Sequence, residues 1–87
     1  MILWDNDKNI KLKLERNISF EDVSEFILSE NIVDIVKHPK RDNQWIFILD
    51  ISDYIYAVPF VIDEHENIVL KTVFPSRKFH KKYRGEK

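Results

Sequence analysis

The chain has 87 residues, 44% of them hydrophobic and 33% charged, and this composition excludes an intrinsically disordered chain. It has no cysteine, which excludes disulfides and thiolate metal sites, and no apolar run of the roughly 20 residues that a membrane-spanning helix needs. The net charge is −1, but residues 71–87 carry +6 and residues 1–70 carry −7, and a basic end of this kind suits a polyanion such as RNA.

The first predicted element is a short helix over residues 5–16. A capping candidate lies at its start. Ile10 and Leu14 are four residues apart and so share one face of the helix, whereas Leu12 does not lie on that face. Asn17 follows, and asparagine tolerates the left-handed conformation that ends helices.

A second helix is predicted from Ser19 through about Ser29. Its start resembles a capping box, in which a serine side chain and an acidic residue satisfy free backbone N–H groups. Apolar residues recur at helical spacing and give this helix one face to bury; they are Phe20, Val23, Phe26 and Ile27.

From Ile32 onward the pattern changes to β-branched and aromatic runs separated by turn residues. Four strands are predicted, at residues 32–38, 44–51, 54–62 and 68–74. Their short polar connections require neighbouring strands to run antiparallel. Pro59 cannot donate a ladder hydrogen bond, so we expect a bulge or an outward-facing edge at that point of the third strand.

Ser76 is a capping candidate for a final helix that carries Arg77 to Arg84. The strands are apolar on both faces in places, so the two early helices should cover one face and the final helix or a second subunit the other. The predicted fold class is α+β in a single domain over residues 1–87, with two N-terminal helices packed on a four-stranded antiparallel sheet and a short basic C-terminal helix.

Several short motifs occur in an order that resembles a known family. They are Trp4-Asp5, Lys8, residues 18–23 (Ile-Ser-Phe-Glu-Asp-Val), the four strands, Ser76-Arg77-Lys78 and Tyr83. This arrangement resembles the BrnT family of bacterial toxins over almost the whole chain. The resemblance implies a compact RelE-like ribonuclease fold and an endoribonuclease toxin of a type II toxin–antitoxin system, which cleaves RNA, blocks translation and is neutralised by a cognate antitoxin.

The resemblance also implies how such a toxin is organised in the cell. Operator DNA would be bound only indirectly, through the antitoxin. A homodimer and a hetero-oligomer with the antitoxin are both compatible with the resemblance. The chain lacks a signal-peptide pattern after Met1, so we expect a cytoplasmic protein without a membrane partner. The implied active site lies where the last strand meets the basic segment, near Lys71, Arg77, Lys78, His80 and Tyr83.

Metal-independent RNA cleavage needs a base, an acid and cations that stabilise the pentacoordinate phosphate. His80 is the acid–base candidate, because histidine has the ordinary pKa nearest neutrality; the alternative is a solvated surface residue. Arg77 offers a planar donor fork for two phosphate oxygens at a helix start, and the alternative is a salt bridge to a carboxylate of the acidic body.

Tyr83 and Lys71 complete the predicted catalytic set. Tyr83 lies four residues after Phe79, a spacing that usually indicates core packing, although a buried ring with an exposed hydroxyl could also take part in catalysis. Lys71 stands on an otherwise apolar strand, where it is either a site residue or a lysine whose ammonium group reaches water at the sheet margin.

The remaining basic residues are predicted to bind the RNA backbone. They are Lys78, Lys81, Lys82 and Arg84 in the final helix and Arg41 in a loop, with a solvated tail and a plain turn as the respective alternatives. No cofactor and no metal are expected, since the three histidines are scattered without metal-ligand spacing. The competing functional hypothesis is a catalytically silent binding module whose basic tail docks an acidic partner or RNA.

Overall fold

The computed structural model describes residues 1–85, which adopt an α+β fold of three helices and one mixed sheet. The elements in chain order are β1 (Ile2–Leu3), α1 (Asn6–Arg16), α2 (Phe20–Leu28), β2 (Asp34–Lys37), β3 (Trp45–Ile51), β4 (Tyr54–Ile62), β5 (Ile68–Leu70), β6 (Phe74–Pro75) and α3 (Arg77–Arg84). The three predicted helices and the antiparallel run of β2, β3, β4 and β5 are confirmed.

The sheet differs from the prediction in strand number and direction. Its strand order is β1-β5-β4-β3-β2, with β6 paired to β4, and β1 runs parallel to β5. The prediction of four antiparallel strands was therefore wrong in part. Short loops force antiparallel pairing only between consecutive strands, whereas two helices and three strands separate β1 from β5 and allow the chain to return in the same direction.

Pro59 lies in β4, the central strand, and pairs with Ile46 of β3. Its carbonyl accepts a hydrogen bond of 2.8 Å from the backbone N–H of Lys71. In an antiparallel sheet the N–H and C=O groups of one residue point to the same neighbouring strand. The ring nitrogen of Pro59, which carries no hydrogen, therefore faces residues 71–73, and there the chain is not paired between β5 and β6. Interrupted pairing is confirmed, and the alternative of an outward-facing edge was wrong.

Two apolar layers pack on opposite faces of the sheet. The layer beneath α1 and α2 contains Leu12, Ile18, Phe20, Val23, Ile27, Phe47, Leu49, Val58, Phe60, Leu70 and Val73. The layer on the other face contains Ile46, Ile48, Ile55 and Ala57, and Phe79 and Tyr83 of α3 pack against it. The final helix, rather than a second subunit, therefore covers the second face.

The buried face of α1 is not the one that its apolar spacing suggested. Leu12 and Asn9 are buried, at 8% and 4% exposure, whereas Ile10 and Leu14 are 56% and 82% exposed. The reason is a polar bridge: Asn9 Oδ1 accepts from the backbone N–H of Phe20 at 2.7 Å, and Asn9 Nδ2 donates to Glu21 at 2.8 Å. The bridge orients α1 so that Asn9 faces the start of α2.

The predicted helix signals are present in the structure. Asp5 caps α1 by accepting from the N–H groups of Asp7 and Lys8, and Asn17 ends it with a φ of 55°. Ser19 caps α2. None of the helices within residues 1–85 is long and apolar enough to cross a membrane.

Candidate functional site

Helix α3 is attached to the sheet at its first turn. Ser76 Oγ accepts from the backbone N–H of Phe79 at 3.2 Å, which caps the helix, and the backbone N–H of Ser76 donates to the carbonyl of Ile55 at 3.0 Å. The predicted cap is confirmed. Because Ile55 belongs to β4, the start of α3 is fixed against the centre of the sheet.

His80 has a structural role in this attachment. Its Nδ1 accepts from the backbone N–H of Ile55 at 3.2 Å, and its ring stacks on Tyr54 with centroids 4.0 Å apart and planes 9° apart. A neutral imidazole has one acceptor nitrogen, so the proton of neutral His80 lies on Nε2. In this geometry the ring can donate through Nε2–H, but it can accept a substrate proton only by giving up its bond to Ile55.

The Tyr83 ring packs in the core, and its hydroxyl is hydrogen-bonded. Its ring packs on the second apolar layer, and its hydroxyl donates to Asp34 Oδ2 at 2.6 Å. This hydrogen bond raises the pKa of Tyr83 above its ordinary value and lowers the pKa of Asp34. The Tyr83 hydroxyl is therefore protonated at neutral pH and already engaged, and it links α3 to β2.

Arg84 is paired with carboxylates of the acidic body. Its Nη1 lies 2.6 Å from Asp50 Oδ2, and its Nη2 lies 3.7 Å from Asp53 Oδ1. The salt bridge that was the alternative for Arg77 is thus made by Arg84 instead. Its guanidinium holds the end of α3 against the β3–β4 turn.

The remaining cations of α3 face solvent. We call these four exposed residues the α3 cationic face: Arg77, Lys78, Lys81 and Lys82. Arg77 and Lys81 are four residues apart, as are Lys78 and Lys82, and like charges at this spacing destabilise a helix by a few tenths of a kcal/mol per pair. A bound polyanion would offset that repulsion.

Arg41 and Lys71 lie outside this cationic face. Arg41 is in the β2–β3 loop, whereas Arg84 of α3 pairs with Asp50 near the other end of β3. Lys71 is exposed in the interruption between β5 and β6, and its carbonyl accepts from Lys8 Nζ at 3.2 Å. The α3 cations therefore share one helix, and Arg41 lies in a different element of the fold.

A second group of cations, absent from the predicted set, lies on α1. Lys8, Lys11 and Arg16 line a depression of about 240 Å³ between this helix and Thr72. The signal in the sequence was their spacing, since positions 8, 11 and 16 fall on one face of a helix. Within residues 1–85, no group of three or more potential metal ligands comes together.

A solved structure shares the architecture of this chain. No protein-family model matches the chain, and no curated protein matches it significantly. Among solved structures, the crystal structure of BrnT, the ribonuclease toxin of Brucella abortus, matches with a TM-score of 0.61 and 22% sequence identity, over 86% of this chain and 94% of that chain. At this identity the match bears on the architecture alone, and the conclusion is that the chain has a BrnT-like fold.

Proposed function

We propose that this protein is an endoribonuclease toxin of a type II toxin–antitoxin system, which cleaves RNA without a metal ion, inhibits translation and is neutralised by a cognate antitoxin. The observation that carries the proposal is the BrnT-like fold over 86% of the chain, in which the basic segment forms a helix with four exposed cations besides the paired Arg84. The description of the matched structure as a ribonuclease toxin supplies the proposed activity.

The chemistry of RNA cleavage suits an exposed cationic helix. The 2′ oxygen attacks the adjacent phosphorus, the bond to the 5′ oxygen breaks, and negative charge builds on the pentacoordinate phosphate. Fixed cations stabilise that charge more in the transition state than in the ground state. Arg77 is at the first position of α3, next to the free backbone N–H groups of the first turn, and we assign it the main phosphate contact.

The contacts of His80 favour positioning and charge stabilisation over proton transfer by this ring. Its acceptor nitrogen is occupied by Ile55, so we propose that neutral His80 offers Nε2–H as a hydrogen-bond donor near the α3 cationic face. Lys78, Lys81 and Lys82 are then the groups that hold the RNA backbone.

A catalytically silent binding module is the second candidate function, and a specific observation favours it. His80, Tyr83 and Arg84 all use their polar groups to attach α3 to the sheet. Under this hypothesis α3 is a rigid cationic face that docks RNA or an acidic partner, without a base or acid for cleavage.

Induced expression in bacteria separates the two functions. Cells expressing the wild type should stop growing and show cleaved total RNA, and Arg77→Ala should abolish both effects at equal protein level. The matched control is Lys40→Ala, which removes one cation from the exposed β2–β3 loop and should leave the arrest intact. Normal growth with intact RNA at confirmed expression of folded wild type would support the binding module instead.

The proposed partner requires a separate experiment. A cognate antitoxin, encoded beside this protein, should form a stable complex on co-expression and restore growth. The complex, rather than this chain alone, should then bind the operator DNA, because the acidic body disfavours direct contact with the duplex. The mass of the complex would give its stoichiometry and decide between a homodimer and a hetero-oligomer.

A further inference from the structure

The depression on α1 concentrates positive charge within the acidic part of the chain. Residues 1–70 carry −7 overall, yet three of their seven cations line this one depression. We call it the α1 cleft and define it by its lining residues, which are Lys8, Lys11, Leu12, Glu15, Arg16, Phe20 and Thr72. Glu15 is the one carboxylate among them, so the lining residues carry an excess of positive charge.

The cleft cations are not neutralised by ion pairs. Within residues 1–85, Lys8, Lys11 and Arg16 have no carboxylate oxygen within 4.0 Å. Lys13, on another face of the same helix, lies 3.7 Å from a carboxylate oxygen of Glu21. The acidic body therefore supplies an ion pair to Lys13 and leaves the cleft cations without one within 4.0 Å.

One side of the cleft is shaped by Pro59. Because this proline cannot complete the ladder, residues 71–73 leave the sheet, and Thr72 comes to line the cleft. Lys8 Nζ donates to the Lys71 carbonyl at 3.2 Å, while the Lys71 N–H donates to Pro59 at 2.8 Å. The Lys8 ammonium is thereby held at the edge of the cleft with two of its three protons available to a ligand.

The floor of the cleft is apolar, since Leu12 and Phe20 are both buried there. Cations around an apolar floor, with the Thr72 hydroxyl at the side, suit a ligand that combines phosphate with a ribose or base. An acidic protein surface repels such a ligand everywhere except at local basic sites.

We infer that the α1 cleft binds the phosphate backbone of single-stranded RNA, as a second site distinct from the α3 cationic face. The two sites are on different sides of the molecule, because α1 and α3 pack on opposite faces of the sheet. The inference rests on the proposed function for the identity of the polyanion. The α1 cleft then holds substrate outside the region where cleavage is assigned.

The test measures binding without cleavage. The probe is a short fluorescein-labelled 2′-O-methyl oligouridylate, which lacks the nucleophilic 2′ hydroxyl, and the readout is fluorescence anisotropy over a range of salt concentrations. The double variant Lys8→Ala with Arg16→Ala should weaken binding on the order of tenfold and reduce the slope of log K against log salt by about 1.4, since each single-strand phosphate contact contributes about 0.7.

The control is Lys13→Ala, which removes one positive charge from the same helix outside the cleft. It should leave the salt slope unchanged. Amide shifts in the NMR spectrum of the wild type should move at residues 8, 11, 16 and 72 when the probe is added, and circular dichroism should show that all variants are folded.

Three results would overturn the inference. The first is an unchanged salt slope in the double variant, and the second is a loss of probe affinity in Lys13→Ala equal to that in the double variant. The third is complete loss of probe binding in Arg77→Ala while the double variant binds the probe as the wild type does. The last result would leave the proposed toxin function standing, since growth arrest is measured separately. Probe binding in the cleft by a wild type that does not arrest growth would refute the toxin and leave the cleft site intact.

Discussion

The Tyr83 hydroxyl donates a hydrogen bond of 2.6 Å to Asp34 Oδ2, and so joins the last helix to a strand 49 residues earlier in the chain. Both groups change their acidity through this bond, with the pKa of Tyr83 raised and that of Asp34 lowered. The bond is thus a contact whose contribution to stability depends on pH, and it holds α3 where its cations face solvent.

Tyr83→Phe should remove the pH dependence that this contact creates. Because folding lowers the pKa of Asp34, its contribution is present above the ordinary aspartate value of about 3.9 and is lost as the pH falls through the lowered value. Because folding raises the pKa of Tyr83, the contribution is lost again as the pH rises above about 10.

The difference in Tm between wild type and Tyr83→Phe should therefore be largest around neutral pH and shrink at both extremes. Thermal unfolding followed by circular dichroism across the pH range measures it. Tyr54→Phe is the matched control, because the Tyr54 hydroxyl makes no hydrogen bond within residues 1–85. A difference that stays constant from acid to alkaline pH would contradict the assignment.

Arg84→Ala should destabilise the protein, whereas Arg77→Ala should not. Arg84 is paired with Asp50, whose side chain is 31% exposed, and its loss leaves that carboxylate beside Asp53 without a cation. We expect a loss of about 0.5 to 1 kcal/mol in the free energy of unfolding, measured by urea denaturation. The loss should decrease in high salt, and equal destabilisation by Arg77→Ala would show that Arg77 is not free.

His80→Asn and His80→Ala should differ in stability. The Asn side chain can place an acceptor near the position of Nδ1 and keep the bond from Ile55, while Ala leaves that N–H without its partner and removes the stack on Tyr54. We expect Ala to cost on the order of 1 kcal/mol more than Asn. Activity that survives in His80→Asn would support a positioning role, and its complete loss in a stable Asn variant would support proton transfer.

The tautomer of His80 can be observed directly. A long-range proton–nitrogen NMR spectrum should show the neutral ring with its proton on Nε2, because Nδ1 accepts from Ile55. A proton on Nδ1 of the neutral ring would rule out this hydrogen bond.

Asn9→Ala should be more destabilising than the mostly polar sequence of α1 suggests. Asn9 is 4% exposed, and its removal leaves the backbone N–H of Phe20 without a partner. A buried unsatisfied donor costs about 1 to 3 kcal/mol, measurable as a lower urea midpoint with an unchanged m-value. Asn6→Ala, at an exposed position of the same helix, should have little effect.

The local elements could be predicted because their signals are short-range. Ser19 and Ser76 cap helices within a few residues, and β3 and β4 are runs of β-branched and aromatic residues. Partner choice for polar side chains could not be predicted in the same way. Arg77 and Arg84 are chemically identical, and only the position of Asp50 after folding decides which of them is paired.

The sequence by itself determined the α+β class, the order of the helices and the antiparallel strands, and the separation of a basic end from an acidic body. The tertiary structure decided which face of α1 is buried, where β1 pairs, and that Tyr83 meets Asp34. The reason is physical: caps, turns and periodicity act over a few residues, whereas burial and polar pairing depend on groups that become neighbours only when the chain has folded.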